Sequence, residues 1–446
     1  MKKPENPPNW KSEPLSPEFP GLLDNVQIAN AVKNALSKYL YWEELKYHFS
    51  GLPIDYKKLW AIIKLFRTQQ YKHIKIGEIT FNYFLTEIAQ EKLHFIDSHA
   101  GLIIGSESSL GRFQAGERKK YLINSLMEEA IASSQMEGAM TTRKVAKEML
   151  RTRRKPKSNS EQMIYNNYQT ITFIKELFES NDQKNKQLTQ NAVLSIHKKM
   201  TNGTLSNQSA EGKFRQSNDI TVEDSLTGEI MHVPPNANKI PQLMQDFCDL
   251  ANSQSPFIHP IIKAIALHFL IGYIHPFEDG NGRTARAIFY WSCLKAGYWT
   301  FEYMPISRII KRAYTQYAKA YLYTENDELD LNYFIHYNLE AIAKAINELD
   351  DYLKQKQKER TEALQLMTKV AKHLSLRQSL ILKDFIEEPE KIITIQETQT
   401  KYNVTYQTAR TDLLDLAKKG YLAYQKKQKQ FLFYKSAQFE EKIKTT

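Results

Sequence analysis

Cysteine is almost absent: the 446 residues carry two, Cys248 and Cys293. Two thiols cannot build a disulfide scaffold, and neither has the spacing of a zinc or redox site. Cys248 follows Phe247 and Cys293 precedes Leu294, so both read as small core residues of a protein kept in a reducing cytosol. Uninterrupted apolar runs of membrane-spanning length are absent as well, and no membrane is expected as a partner. The first twenty residues are rich in proline and hold no apolar stretch of the signal-peptide kind. What the chain has in excess is positive charge, with 61 Lys and Arg against 50 Asp and Glu and a net charge of +11. Such a balance suits a well-solvated surface, or contact with nucleotide or nucleic acid. The length allows two or three domains with cores of their own.

Hydrophobic periodicity orders the rest. Residues 1–20 read as a flexible N-terminus. Residues 21–115 read as an N-terminal helical domain: Ala29, Val32, Leu36 and Leu40 recur at helical spacing, and a second run starts at Leu59 after the turn Gly51-Leu52-Pro53. Residues 116–350 read as a further helical domain whose first helix, over 119–138, stops at Gly138. Within it, Ile220-Thr221-Val222 and Glu229-Ile230-Met231-His232-Val233 flank a polar turn and predict a short hairpin resting on helices. The basic tract at 151–157 reads as a surface loop. Residues 351–373 form a linker helix. Residues 374–446 show helices at 376–386, 395–402 and 406–419, then strand-like runs at 421–424 and 431–434 around a basic turn. That order predicts a winged helix-turn-helix. The fold class expected is mainly α.

The chemistry concentrates in residues 275–286. The apolar stretch ending at Ile274 puts His275 at the end of a buried helix, which Pro276 cannot continue comfortably. Phe277 can anchor the turn in the core. Gly280 and Gly282 permit close backbone approach, and a helix restarts at Asn281. Free N–H groups at a glycine-rich helix start form an anion site. Arg283 and Arg286, three residues apart, face the same way. Asp279 offers an oxygen to Mg²⁺, and His275 is the group in this loop fit to act as a general base near neutral pH. A histidine at a helix end, a glycine turn or an Asp beside Gly is ordinary when alone. Their conjunction points to attack of a hydroxyl on a nucleotide phosphate.

The run His275-Pro276-Phe277-Glu278-Asp279-Gly280-Asn281-Gly282-Arg283 resembles the Fic motif, HPFx(D/E)GN(G/K)R, at every specified position, with the second arginine at Arg286. Weaker resemblance runs over 121–345, including Gly212-Lys213-Phe214-Arg215 and Val233-Pro234-Pro235. The resemblance implies a Fic-type helical core with a β-hairpin flap, and an enzyme transferring AMP from ATP to a Tyr, Ser or Thr hydroxyl of a protein. It implies His275 as the base and Asp279 as the Mg²⁺ ligand. The nucleotide would be held by Gly280, Asn281, Gly282, Arg283, Thr284, Ala285 and Arg286, with Arg283 on the β-phosphate and Arg286 on the γ-phosphate. Tyr317 either lines the adenine pocket or belongs to the core. Ile220, Thr221 and Val222 would form the flap that aligns the target by strand pairing. Glu278 falls at the variable position, and Gly282 rather than Lys argues against the kinase-like subgroup.

Ser133-Ser134-Gln135-Met136-Glu137-Gly138 resembles the family's inhibitory motif, (S/T)xxxE(G/N). There the Glu pairs with the second motif arginine, so Ser133, Glu137 and Gly138 would form a brake on Arg286. The alternative for Glu137 is a helix-end carboxylate without a partner. The partners implied are a target protein, the chain itself as acceptor and a second copy in a homodimer. Two rival readings remain: a Fic enzyme that transfers or removes another phosphate-linked group, and a DNA-binding regulator whose Fic domain senses nucleotide. For the second, Gln407, Thr408, Arg410 and Thr411 could reach base edges, whereas Asp412 and Asp415 would repel phosphates.

Overall fold

A computed structural model describes residues 2–12, 19–100, 115–179, 186–224, 227–370, 374–387, 391–427, 430–439 and 441–442. The chain divides into two units, residues 1–349 and 350–446, taken here in turn.

The first unit begins with α1 (Phe19–Leu23), α2 (Val26–Ser37), α3 (Trp42–His48) and α4 (Tyr56–Thr68). Asn25 and Asp55 start α2 and α4 by accepting hydrogen bonds from backbone N–H groups of the first turn. Ile28, Val32 and Ala35 of α2 then bury with Leu59, Ile62 and Ile63 of α4 in one cluster. A hairpin follows, β1 (Lys72–Ile76) antiparallel to β2 (Ile79–Tyr83), and then α5 (Glu87–Ala100). The sequence reading treats residues 24–99 as mostly helical and passes over this hairpin. Its signal is the alternation Ile74, Ile76 and Phe81 around Gly77, which has a positive φ of 59°.

The described residues up to Ala100 share one compact unit with the helices that follow, although the sequence places a domain boundary near residue 115. The core around α2 and α4 includes Tyr323 and Tyr333 from the far end of the unit. The fully buried Lys64 pairs with Asp327 at 2.7 Å, and Arg67 donates to the Tyr333 hydroxyl at 2.7 Å and the Leu40 carbonyl at 2.9 Å. Buried charges of this kind hold only while paired, so they fasten the two parts together. Within the N-terminal stretch expected to be flexible, residues 13–18 lie outside the described residues, and residues 2–12 make contacts with the body. The Trp10 indole donates to Glu328 at 3.1 Å, Lys11 pairs with Glu328 at 2.9 Å, and the Tyr41 hydroxyl donates to the Glu5 carbonyl at 2.8 Å. These partners lie far along the chain, where local composition gives no hint of them.

The rest of the unit comprises α6 (Ala115–Met136), α7 (Arg143–Thr152), α8 (Asn159–Glu179) and α9 (Gln190–Thr201), then a hairpin of β3 (Val222–Glu223) and β4 (Ile230–His232). It continues with α10 (Ile240–Asn252), α11 (Pro260–Ile274), α12 (Asn281–Lys295), α13 (Ile306–Arg312), α14 (Tyr314–Asn326) and the start of α15 (Asn332–Val370). Helix α11 is apolar over most of its surface and largely buried, as such a helix must be. It packs on α12, and the loop joining them is the segment singled out by its chemistry.

The second unit holds the remainder of α15, then α16 (Leu376–Glu387), β5 (Ile393–Thr394), α17 (Ile395–Tyr402), α18 (Tyr406–Lys418), β6 (Leu422–Lys427) and β7 (Gln430–Lys435). The sheet is antiparallel in the order β5-β7-β6. Ile381, Leu382, Phe385, Leu413, Leu416 and Phe433 form its core. The expected order of three helices and a hairpin is present, with β5 added. Among the described residues no helix is long and apolar enough to cross a membrane.

Candidate functional site

Helix α11 ends because His275 turns left-handed, at φ 47°, while its N–H still bonds the Ile271 carbonyl at 3.0 Å. A non-glycine residue in this region is uncommon and marks a backbone held by its surroundings. The His275 Nδ1 lies 3.2 Å from the Gly272 carbonyl. A carbonyl only accepts, so Nδ1 carries the proton and Nε2 keeps its lone pair. Burial is the largest influence on this imidazole and pushes its pKa down to about 4. The ring is therefore neutral at physiological pH.

Three side chains brace the loop from behind. His197 stacks on Phe277 with ring centroids 3.7 Å apart, and both are fully buried. Its Nδ1 accepts from the Gly212 N–H at 3.0 Å, which leaves Nε2–H to donate to the Asp279 carbonyl at 2.9 Å. Burial again holds the pKa near 4. Asn281 closes the loop on itself: Oδ1 accepts from the Phe277 N–H at 3.0 Å and Nδ2 donates to the Phe277 carbonyl at 2.9 Å. The Asn281 amide expected on a phosphate is thus spent inside the loop, and only its backbone N–H is left for an anion. Arg215, 2 % exposed, grips the His275 carbonyl through Nε at 2.8 Å and the Ser217 carbonyl through Nη1 at 2.8 Å. Its Nη2 reaches Pro235, and its own N–H donates to the Pro276 carbonyl at 2.9 Å. One guanidinium thereby ties the His275 turn to both ends of the hairpin segment. Gly280 is required by its φ of 83° and by space, since a Cβ there would lie 2.7 Å from Thr201 Cγ2.

On the open side, α12 begins at Asn281 with no side-chain cap from Gly280. Its first N–H groups have no intrahelical acceptor, which makes the helix start an anion site. Arg283 is 1 % exposed, yet among the described residues its Nε and Nη2 have no hydrogen-bond partner. Its closest polar neighbours are the Met200 carbonyl, 3.4 Å from Nη1, and the Asp279 carboxylate, 3.6 Å from Nη2. Buried donors left open are costly unless an anion meets them. The Asp279 side chain is 60 % exposed. Thr284 and Ala285 are buried in the body of α12, and among the described residues the Thr284 hydroxyl has no hydrogen-bond partner. Tyr317 is buried, its hydroxyl 2.9 Å from His268 Nε2 and its ring tilted against Phe334.

Arg286, unlike Arg283, is held through both Nε and Nη2. Its Nε donates to Ser133 Oγ at 2.8 Å, and Nη2 donates to the Ser133 carbonyl and to Glu137 Oε1, each at 2.9 Å. The Glu137 contact is end-on through one nitrogen rather than bidentate. A Cβ added to Gly282 would collide with Glu137 Oε1 and lie 2.9 Å from its Cδ. The Glu137 carboxylate therefore rests against the first turn of α12, beside the anion site, and a side chain at 282 would require it to move. Gly138 follows in a turn at φ 90°. Behind this pair, Tyr290 donates to Glu129 at 2.8 Å, and the Ser307 N–H donates to the same carboxylate at 2.9 Å. Glu129, Ser133 and Glu137 recur every four residues and meet Tyr290, Arg286 and Gly282, which recur likewise. This ladder seats α6 on α12.

The hairpin pairs Val222 with His232 and Glu223 with Ile230. Ile220 and Thr221 precede the paired residues and are not part of the ladder. The His232 ring fixes the hairpin: Nδ1 lies 2.7 Å from Glu325, and Nε2 lies 2.7 Å from the Tyr273 carbonyl, two residues before His275. His197, Arg215, Glu129 and Tyr290 escaped the sequence reading. Arg215 had one signal, the quoted Gly212-Lys213-Phe214-Arg215; His197 had none beyond its place on a helix.

Residues 187–293 match the model of the Fic/DOC family, a span that takes in the loop, His197 and Arg215 but not residues 133–138. The chain is 33% identical over 117 residues to a protein adenylyltransferase Fic of Nematostella vectensis, covering 26% of this chain and 25% of that protein. It is 44% identical over 68 residues to a protein adenylyltransferase Fic of Drosophila willistoni, covering 15% of this chain and 14% of that protein. The chain thus spans a quarter or less of the length of these curated relatives. In three dimensions it is similar to a Fic family protein from Desulfovibrio desulfuricans G20, with a TM-score of 0.50, 16% identity, and coverage of 78% of this chain and 96% of that one. At that identity the likeness concerns the fold alone. The chain carries a Fic domain, and its fold is mainly α.

Proposed function

We propose that the protein transfers AMP from ATP to a Tyr, Ser or Thr hydroxyl of a target protein, and that Glu137 restrains the transfer. The observation that carries this reading is the pairing of a neutral His275 whose Nε2 is open with a buried Arg283 whose donors are open, at the start of one helix. The hydroxyl oxygen attacks the α-phosphorus as its proton passes to His275 Nε2. The bond to the β-phosphate breaks, and pyrophosphate leaves. Arg283 and the first N–H groups of α12 hold the phosphates and meet the charge that develops on the leaving group. Asp279, a single exposed carboxylate, fits a magnesium ion that is carried mainly by the triphosphate, because Mg²⁺ commonly keeps one or two carboxylates beside phosphate oxygens and waters. The ion would supply charge neutralisation there.

Glu137 acts on the same phosphates. Its carboxylate occupies Arg286 and leans on the helix start, so a triphosphate loses a cation and gains a repelling neighbour. The hairpin, anchored by His232 and by Arg215, supports a role in laying the target strand beside His275. Incubation of the purified protein with ATP labelled at the α-phosphorus, alone and with its native cell extract, tests the reaction. Label should enter protein with the α-phosphate and not with the γ-phosphate. Transfer of the γ-label, or of neither by the wild type and by a Glu137→Gly variant, would defeat the proposal.

A further inference from the structure

The second unit presents a surface that the transfer reaction does not use. Helix α17 and helix α18 are joined by a tight turn in which Asn403 adopts a left-handed φ of 50° and Thr405 caps α18 by accepting from the Thr408 N–H. Ala409, Asp412, Leu413 and Leu416 of α18 face the core. Gln407, Arg410, Thr411 and Lys418 lie on the other side, exposed or partly so. From the sequence, Asp412 and Asp415 stand against an anionic partner, and the structure removes both. Asp412 is buried and paired with Arg377. Asp415 is paired with Lys419 at 2.7 Å and accepts from Gln378 at 2.8 Å. The neighbouring acids are spent as well. Asp384 accepts from Lys401 at 2.6 Å, and Glu397 closes the cap of α17 on the Thr394 N–H at 2.7 Å. Arg410 makes no hydrogen bond or ion pair among the described residues, and Lys426 of β6 is exposed.

We propose that α18 is a recognition helix for duplex DNA. Its solvent stripe carries Gln407 and Arg410, which have the donor and acceptor geometry for adenine and guanine edges in the major groove. Lys418 and Lys426 supply the phosphate contacts that set affinity. A helix entering the groove after a short turn, beside a β-hairpin, is the geometry such modules use. The reading is independent of the chemistry at His275, and it adds a location to whatever the first unit does.

Fluorescence anisotropy of the full-length protein against a labelled mixed-sequence duplex, at several salt concentrations, tests it. The duplex should bind more tightly than a single strand of the same length, and affinity should fall steeply as salt rises. Arg410→Ala should weaken binding about tenfold or more, and Lys418→Ala should lower the salt dependence by about one unit of slope. Both variants should keep the wild-type unfolding temperature and the wild-type rate of AMP transfer. In rounds of selection from the mixed pool the wild type should enrich a sequence, and Gln407→Ala should relax it. The proposal is overturned if the wild type has no salt-dependent affinity for the duplex, or if Arg410→Ala and Lys418→Ala bind as the wild type does. It is equally overturned if binding is lost only on replacing Lys155 and Lys157 in the first unit, or if α18 proves to hold a protein and no duplex.

Discussion

The two faces of the loop between α11 and α12 are built on opposite principles. Behind it, His197 has both ring nitrogens bonded, the Asn281 amide is closed on Phe277, and the Arg215 guanidinium meets three carbonyls. In front, His275 has one nitrogen open and Arg283 has donors without acceptors. Both histidines are neutral, held near a pKa of 4 by burial. Both imidazoles are thus in the same charge state, and bonding alone makes one ring a brace and leaves the other with a nitrogen free for the proposed base role. A site of this kind gets its geometry from groups that are saturated and its reactivity from groups that are not.

The comparison breaks most sharply at His275. His275→Ala should lower AMP transfer roughly a hundred- to ten-thousand-fold, the usual contribution of a general base, while nucleotide binding followed by calorimetry stays near wild type. Undiminished transfer would remove His275 from the chemistry. Next comes Glu137. If its carboxylate misplaces the triphosphate by about 3 kcal/mol, Glu137→Gly should speed transfer roughly a hundredfold. The double variant with Arg286→Ala should forfeit most of that gain, since the freed cation is then absent. A Glu137→Gly rate equal to wild type would leave Glu137 a structural carboxylate.

The brace is probed through pH. His197 has a folded pKa of about 4 against an ordinary value near 6.5. Between those values the unfolded chain binds the proton more readily, so stability rises with pH through that window. It is fully present above about 6.5 and is lost as pH falls towards 4, by up to about 3 kcal/mol. Urea midpoints at neutral pH and near the lower limit should fall further apart for the wild type than for His197→Gln, which cannot titrate. An identical fall in the two proteins would clear His197 of this role. The smallest effect is expected at Arg215. Arg215→Lys keeps the charge but not the fork, so it should lower kcat about tenfold through a displaced His275 turn, with little change in KM for ATP. A change confined to KM would place Arg215 in binding rather than in positioning.

Much of this was legible beforehand. Pro276, Gly280 and the apolar run before His275 foretell a turn between buried helices, and the spacing within 376–434 foretells the order of elements in the second unit. The hairpin of β1 and β2 was legible too, from alternation around Gly77, but the flanking helices masked it. Tyr317 was open between adenine pocket and core; the structure shows it buried with its hydroxyl on His268. Asp412 and Asp415 read as repulsive charges on α18 until their partners Arg377 and Lys419 came into view.

The sequence by itself determined the candidate set at 275–286, because the turn formers, the histidine, the carboxylate and the arginines are contiguous and local sterics act over a few residues. Tertiary structure decided which of those groups are free. Arg215 reaches His275 across 60 positions, and Ser133 reaches Arg286 across 153. Whether a buried donor is saturated depends on what packs against it, and packing partners follow from the fold as a whole. That is why Arg283 and Arg286, one helical turn apart with the same side chain, end as an open cradle and an occupied latch.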